Sequence, residues 1–107
     1  MKNTYDRYAL KEITENPIIL DFSKCKYWGE IHVLLKEKFV FHDYYGENWD
    51  ALWDFMQDVF CDDKEYKVEL HKFNSLNTQL REECEIMLRI FDRVNLLYPN
   101  FSYKIVS

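Results

Sequence analysis

The sequence predicts an α/β fold built on a small parallel sheet of three strands packed with helices. Two observations carry this. Short apolar or alternating runs rich in β-branched and aromatic residues are separated by runs with helical spacing, in the order strand, helix, loop, helix, strand, helix, strand. Strands separated by helices pair in parallel and form a layer against those helices. Size agrees: 107 residues make one domain. With 48% hydrophobic and 18% aromatic residues, the chain holds enough apolar mass for a single core.

Residues 1–17 read as an N-terminal extension, polar with scattered Tyr5, Tyr8, Leu10 and Ile13 and room for a helical turn or two. Pro17 disfavours helix at Asn16 and closes it. The domain is then 18–107. Ile18 to Phe22 is a short apolar run, predicted as a buried strand. Trp28 to Phe41 places Ile31, Leu34, Leu35 and Phe39 three and four apart, which predicts an amphipathic helix with His32 on its polar side. His42 to Asn48 breaks the period and reads as a loop, and Asn48 is a good N-cap for a helix from Trp49 to Phe60. Asp62 to Glu65 is a turn, and Tyr66 to Leu70 alternates as a strand does. Ser75 is placed to cap a long helix to about Leu97, with Leu80, Cys84, Met87, Phe91 and Val94 on one stripe. Pro99-Asn100 ends it, and Phe101 to Val106 is the last strand.

Charge is unevenly placed. Asp43 to Glu65 holds eight acids and one base, Lys64, a net −7, whereas the rest has 11 acids and 13 bases, a net +2. A nucleic-acid surface has the opposite sign. This segment suits a basic protein partner, including one that itself holds phosphates.

Several machines are excluded by composition. Two glycines, Gly29 and Gly46, cannot make a dinucleotide fingerprint or a P-loop. No apolar run exceeds three residues, so no membrane span is expected, and Met1 to Leu10 lacks the apolar stretch of a secretory signal. Cys25, Cys61 and Cys84 form no C-x-x-C, which reads as free, mostly buried thiols in a reducing compartment such as the cytoplasm.

The Trp49–Phe60 run is the most informative. At about 100° per residue, Trp49, Leu52, Phe55, Met56 and Val59 share one face, Glu47, Asp50, Asp54 and Asp58 share the other, and Trp53 lies between. Charged faces are often simply solvated. Here, though, no lysine or arginine offsets the acids, and like charges four apart oppose the helix. Asp58 also sits at the negative end of the dipole. The row therefore reads as a surface shaped to meet positive charge.

Other chemistries fit the residues less well. Asp50 and Asp54 with His42 or Asp43 fall short of a tightly held ligand set for a divalent cation. Lysines flank Cys25, but no base stands at a defined spacing, so a partly buried thiol is the simpler reading. Neither His32 nor His71 carries a catalytic signature, and no catalytic motif is present.

The run Tyr44-Tyr45-Gly46-Glu47-Asn48-Trp49-Asp50-Ala51-Leu52-Trp53-Asp54 resembles the barstar family, small intracellular inhibitors of barnase-type secreted ribonucleases. The resemblance spans about residues 18–107 and implies a small parallel three-stranded sheet with helices packed on it. It also implies that the second helix and the loop before it plug the ribonuclease active site. Asp54 would take the phosphate position, with Tyr44, Asp50 and Trp53 among the other contacts, and Ile90 keeps an apolar contact position. Two departures stand out. Arg93, beside Asp92, is the nearest match to a contact glutamate of the family, and Asp58-Val59 replaces a glycine and an aromatic, lengthening the acidic face.

The expected function is inhibition of a basic secreted ribonuclease, an immunity role, through Tyr44, Tyr45, Gly46, Glu47, Asn48, Asp50, Trp53, Asp54, Asp58 and Ile90. A second reading is an acidic module of the same fold with a different basic protein partner. A metal-dependent enzyme is third. The favoured reading needs no catalytic residue, cofactor, metal, nucleic acid, membrane or obligate small molecule.

Overall fold

A computed structural model of the chain describes residues 13–41, 43 and 45–106. Three strands, β1 (Ile18–Asp21), β2 (Tyr66–His71) and β3 (Phe101–Val106), form one parallel sheet in that order. Ile18 pairs with Val68 and Leu20 with Leu70, while Tyr66 pairs with Phe101 and Val68 with Tyr103. Helices α1 (Trp28–Lys38) and α2 (Trp49–Val59) lie between β1 and β2, and α3 (Thr78–Leu97) lies between β2 and β3. The parallel α/β reading is therefore correct.

Alternation along the strands divides the sheet into two faces. Ile18, Leu20, Tyr66, Val68, Leu70 and Phe101 are buried, whereas Lys67, Ser102 and Lys104 on the opposite face are exposed. Glu69 on that outer face bonds His71 at 2.9 Å and lies 3.9 Å from Lys104. Larger parallel sheets are covered on both faces. This one keeps a polar outer face, and the helices join the other in a single core. The core takes Ile31, Leu35 and Phe39 from the α1 region, Leu52, Met56 and Phe60 from the α2 region, and Leu80, Cys84, Met87, Phe91 and Val94 from α3.

Four expectations need correction. Helix α1 stops at Lys38 rather than Phe41. Val40 turns to φ 55°, and a bond from the Phe41 amide to the Lys36 carbonyl closes the end. That turn sends both Phe39 and Phe41 inward, where their rings meet edge to face. Second, Asn77 caps α3, accepting from the Leu80 amide at 2.9 Å. Ser75 instead ends a 3-10 turn, Phe73–Ser75, and its hydroxyl donates to the Lys72 carbonyl. Third, the thiols are not mostly buried: Cys84 is buried, Cys25 is partly so and Cys61 is exposed. Fourth, His32 is fully buried rather than on a polar face.

Of residues 1–17, those from 13 on are described and carry no helix. Ile13 packs against the core and Glu15 pairs with Lys38 at 3.1 Å. Any helical turn before Ile13 lies outside the described residues.

Candidate functional site: an exposed acidic helix

The N-terminus of α2 is set by a local device. Asn48 accepts from the Ala51 amide at 2.8 Å through its side chain and bonds the Gly46 carbonyl with its amide group. Glu47 takes the left-handed φ of 54°, while Gly46 does not. The geometry a glycine would suit thus falls one residue after it, on an exposed glutamate.

A second, tertiary device aims the helix. His32 of α1 sits fully buried against three aromatics. Its ring lies 4.7 Å from Trp28 and 4.7 Å from Trp49, and its Nδ1 is 2.6 Å from the Tyr45 hydroxyl. Tyr45 packs in turn on Phe41 and Phe55. This cluster ties α1 to the loop before α2 and to the first residue of α2. His32 Nε2 and Trp49 Nε1 are buried without a hydrogen-bond partner among the described residues. Burial holds the His32 imidazole below its ordinary value, with the Glu47 charge acting the other way. The tyrosine hydroxyl is pushed upward, chiefly by burial. A reading of spacing could have found His32, which stands four residues after Trp28 and three before Leu35.

With Leu52 and Met56 locked inward, Asp50, Asp54 and Asp58 are left exposed at successive turns, with Glu47 exposed before them. None of these four carboxylates makes an ion pair among the described residues. Two of the other four acids of the segment are used locally. Asp43 approaches Lys36 at 3.6 Å. Asp62 accepts from the Lys64 amide and from the Tyr66 hydroxyl, and its carbonyl accepts from Asn100, which also holds the Lys64 carbonyl. Four of the eight acids of the segment thus form an exposed row along α2 and the loop before it, while Asp43 and Asp62 are engaged locally.

The expected contact residues fall into three groups. Gly46, Glu47, Asn48, Asp50, Asp54 and Asp58 are exposed, and Trp53 is half-buried beside them. Tyr45 and Ile90 are core residues at 5% and 6% exposure, so neither stands on the surface itself. Tyr44 lies outside the described residues. Sequence reasoning named Arg93 only as a departure. It lies with its guanidinium carbon 4.1 Å from the centre of the Trp53 ring. Its neighbour Asp92 turns to β3 and accepts from the Tyr103 hydroxyl at 2.7 Å.

Among the described residues, no group of three or more His, Cys, Asp or Glu side chains is placed to hold a metal ion, and no helix is long and apolar enough to cross a membrane. The Cys25 thiol is raised to about 11, by burial first and then by Glu30 and Asp21, so its flanking lysines do not activate it.

The family model of barstar, the barnase inhibitor, matches residues 16–102. The chain belongs to the barstar family. Barstar-family proteins are inhibitors and not enzymes, and a barnase-type ribonuclease is the kind of partner the family implies. The match begins just before β1 and runs into β3, so it takes in the whole of the acidic helix and its aromatic support. No curated protein matches the chain.

Proposed function

We propose that this barstar-family chain inhibits a basic, barnase-type ribonuclease by seating α2 and the loop before it in the enzyme's active site. The observation that carries this reading is the exposed row of Glu47, Asp50, Asp54 and Asp58, unpaired among the described residues. A ribonuclease holds RNA phosphate with arginine, lysine and histidine. Carboxylates on a rigid helix pair with those same groups through charge-assisted hydrogen bonds. The inhibitor therefore mimics substrate charge and offers no bond to cleave.

Rigidity supports the reading. The helix is capped at Asn48 and anchored by Trp49, Leu52 and Met56, so little ordering remains to oppose binding. We assign the contact surface to Tyr44, Gly46, Glu47, Asn48, Asp50, Trp53, Asp54 and Asp58, with Tyr45 and Ile90 beneath it. The free, exposed Cys61 supports action in a reducing compartment, which we take to be the cytoplasm.

The test is titration of barnase-catalysed RNA cleavage with the chain, beside association rates measured over a range of salt. Inhibition at one-to-one stoichiometry is expected. The association rate should fall steeply with salt as the screening length shrinks from about 10 Å at 0.1 M to about 3 Å at 1 M. A salt-independent association rate would count against charge mimicry. Absence of inhibition would return the chain to the second reading, a binding module for another basic protein.

A further inference from the structure

We infer that Arg93 is a specificity-determining residue of the α2 docking surface, a fixed cation that fits a ribonuclease placing a carboxylate beside its basic pocket. The inference rests on the inhibitor reading above. Its own evidence is geometric. Arg93 projects from α3 onto α2, with its guanidinium 4.1 Å from the centre of the Trp53 ring. Trp53 immediately precedes Asp54 and follows Asp50 by three residues, so the stacked cation borders the acidic row. A guanidinium over an indole keeps its planar fork of N–H donors while losing little further freedom on binding.

No carboxylate among the described residues forms an ion pair with it. Arg93 is exposed and makes no ion pair or hydrogen bond among the described residues. Its helical neighbours at three and four residues are Arg89, Ile90, Leu96 and Leu97, which offer no carboxylate. Asp92 is engaged by Tyr103 on the other side of α3. Arg89 and Arg93 repeat on α3 what Asp50 and Asp54 do on α2: like charges four apart, which oppose the helix that carries them. One turn beyond, Leu97 is 53% exposed and extends the same flank with apolar surface.

A cation at the edge of an acidic face has two consequences. It repels a basic enzyme whose rim is also basic, and it rewards one whose rim carries a carboxylate. Specificity often combines such attraction and repulsion.

Barnase serves as the probe. The parent chain, Arg93→Lys, Arg93→Ala, Arg93→Glu and Asp54→Ala are each titrated for inhibition, with association and dissociation rates at low and high salt and a thermal melt beside each. Arg93→Glu should shift the dissociation constant about tenfold or more, with Arg93→Ala between it and the parent and melting temperatures nearly unchanged. Weakening means that barnase supplies the facing carboxylate. Tightening means that barnase is among the enzymes Arg93 selects against. Either places the residue at the interface. A shift below about threefold for both Arg93→Ala and Arg93→Glu, with Asp54→Ala still damaging, overturns the inference and leaves the inhibitor reading standing. If Asp54→Ala is silent as well, the seating of the acidic α2 face in the enzyme falls and takes this inference with it.

Discussion

His32 and Tyr45 meet at 2.6 Å inside the protein, joining α1 to the loop that leads into the acidic helix. The two residues lie 13 apart in the chain, and both are buried. Their bond supports the site without touching its surface. Tyr45→Phe leaves His32 Nδ1 buried and unsatisfied, as Nε2 already is, and should cost about 1–3 kcal/mol of folding stability. Chemical denaturation of the two proteins measures it.

The same imidazole predicts a pH dependence. Burial holds its folded pKa below the unfolded value of 6.5, and Glu47 offsets this only in part. Protonation is therefore easier in the unfolded chain. Stability is full above about pH 6.5 and falls as pH drops below it, by at most about 1.4 kcal/mol per pH unit. Between about pH 7.5 and pH 5 the parent should lose more melting temperature than His32→Phe, since carboxylate titration acts on both. Equal losses would mean that the buried imidazole accepts its proton without cost.

Asp50 and Asp54 should not be equivalent. Asp50 lies in the first turn of α2, where unpaired backbone amides share its charge. Asp54 lies mid-helix, so its charge is left for a partner. Asp54→Ala should weaken inhibition of barnase strongly and leave the melt nearly unchanged, whereas Asp50→Ala should cost less binding and slightly more stability. Truncating one partner of a buried charge pair costs about 2–5 kcal/mol, a range that the barnase–barstar pair itself helped set, so the ranking is what is predicted here. Inhibition titrations beside melts decide it.

Val40 offers a gain. A β-branched residue at φ 55° is strained, and glycine meets that conformation freely. Val40→Gly should stabilise the fold by about 1 kcal/mol, less whatever contact the half-buried side chain makes. A lower denaturation midpoint would show that this contact, together with the freedom glycine adds to the unfolded chain, outweighs the backbone strain.

The thiols should react unequally. Burial raises Cys25 to about 11 and Cys84 to about 12, while Cys61 is exposed. An aromatic disulfide reagent at about pH 8 should therefore modify one thiol quickly in the native protein and all three after denaturation. Fast reaction of Cys84 would reveal opening of the core.

What the sequence by itself determined was whatever depends on near neighbours. Alternation in Tyr66 to Leu70 marks a strand because every second side chain meets the core. The stripe from Leu80 to Val94 marks α3, and Asn48 marks the start of α2 because its side chain reaches an amide three residues on. The acidic row followed from the same spacing. Tertiary structure decided the rest. His32 is buried because Trp28, Tyr45 and Trp49 close around it, and two of those come from beyond its own helix. The turn after α2 is held by Asn100, which donates to the Asp62 carbonyl from 38 residues away. Arg93 gains its place by lying on Trp53, across a packed pair of helices. Local energies set the period of each element, whereas the surroundings of a polar side chain depend on which remote residues packing brings beside it.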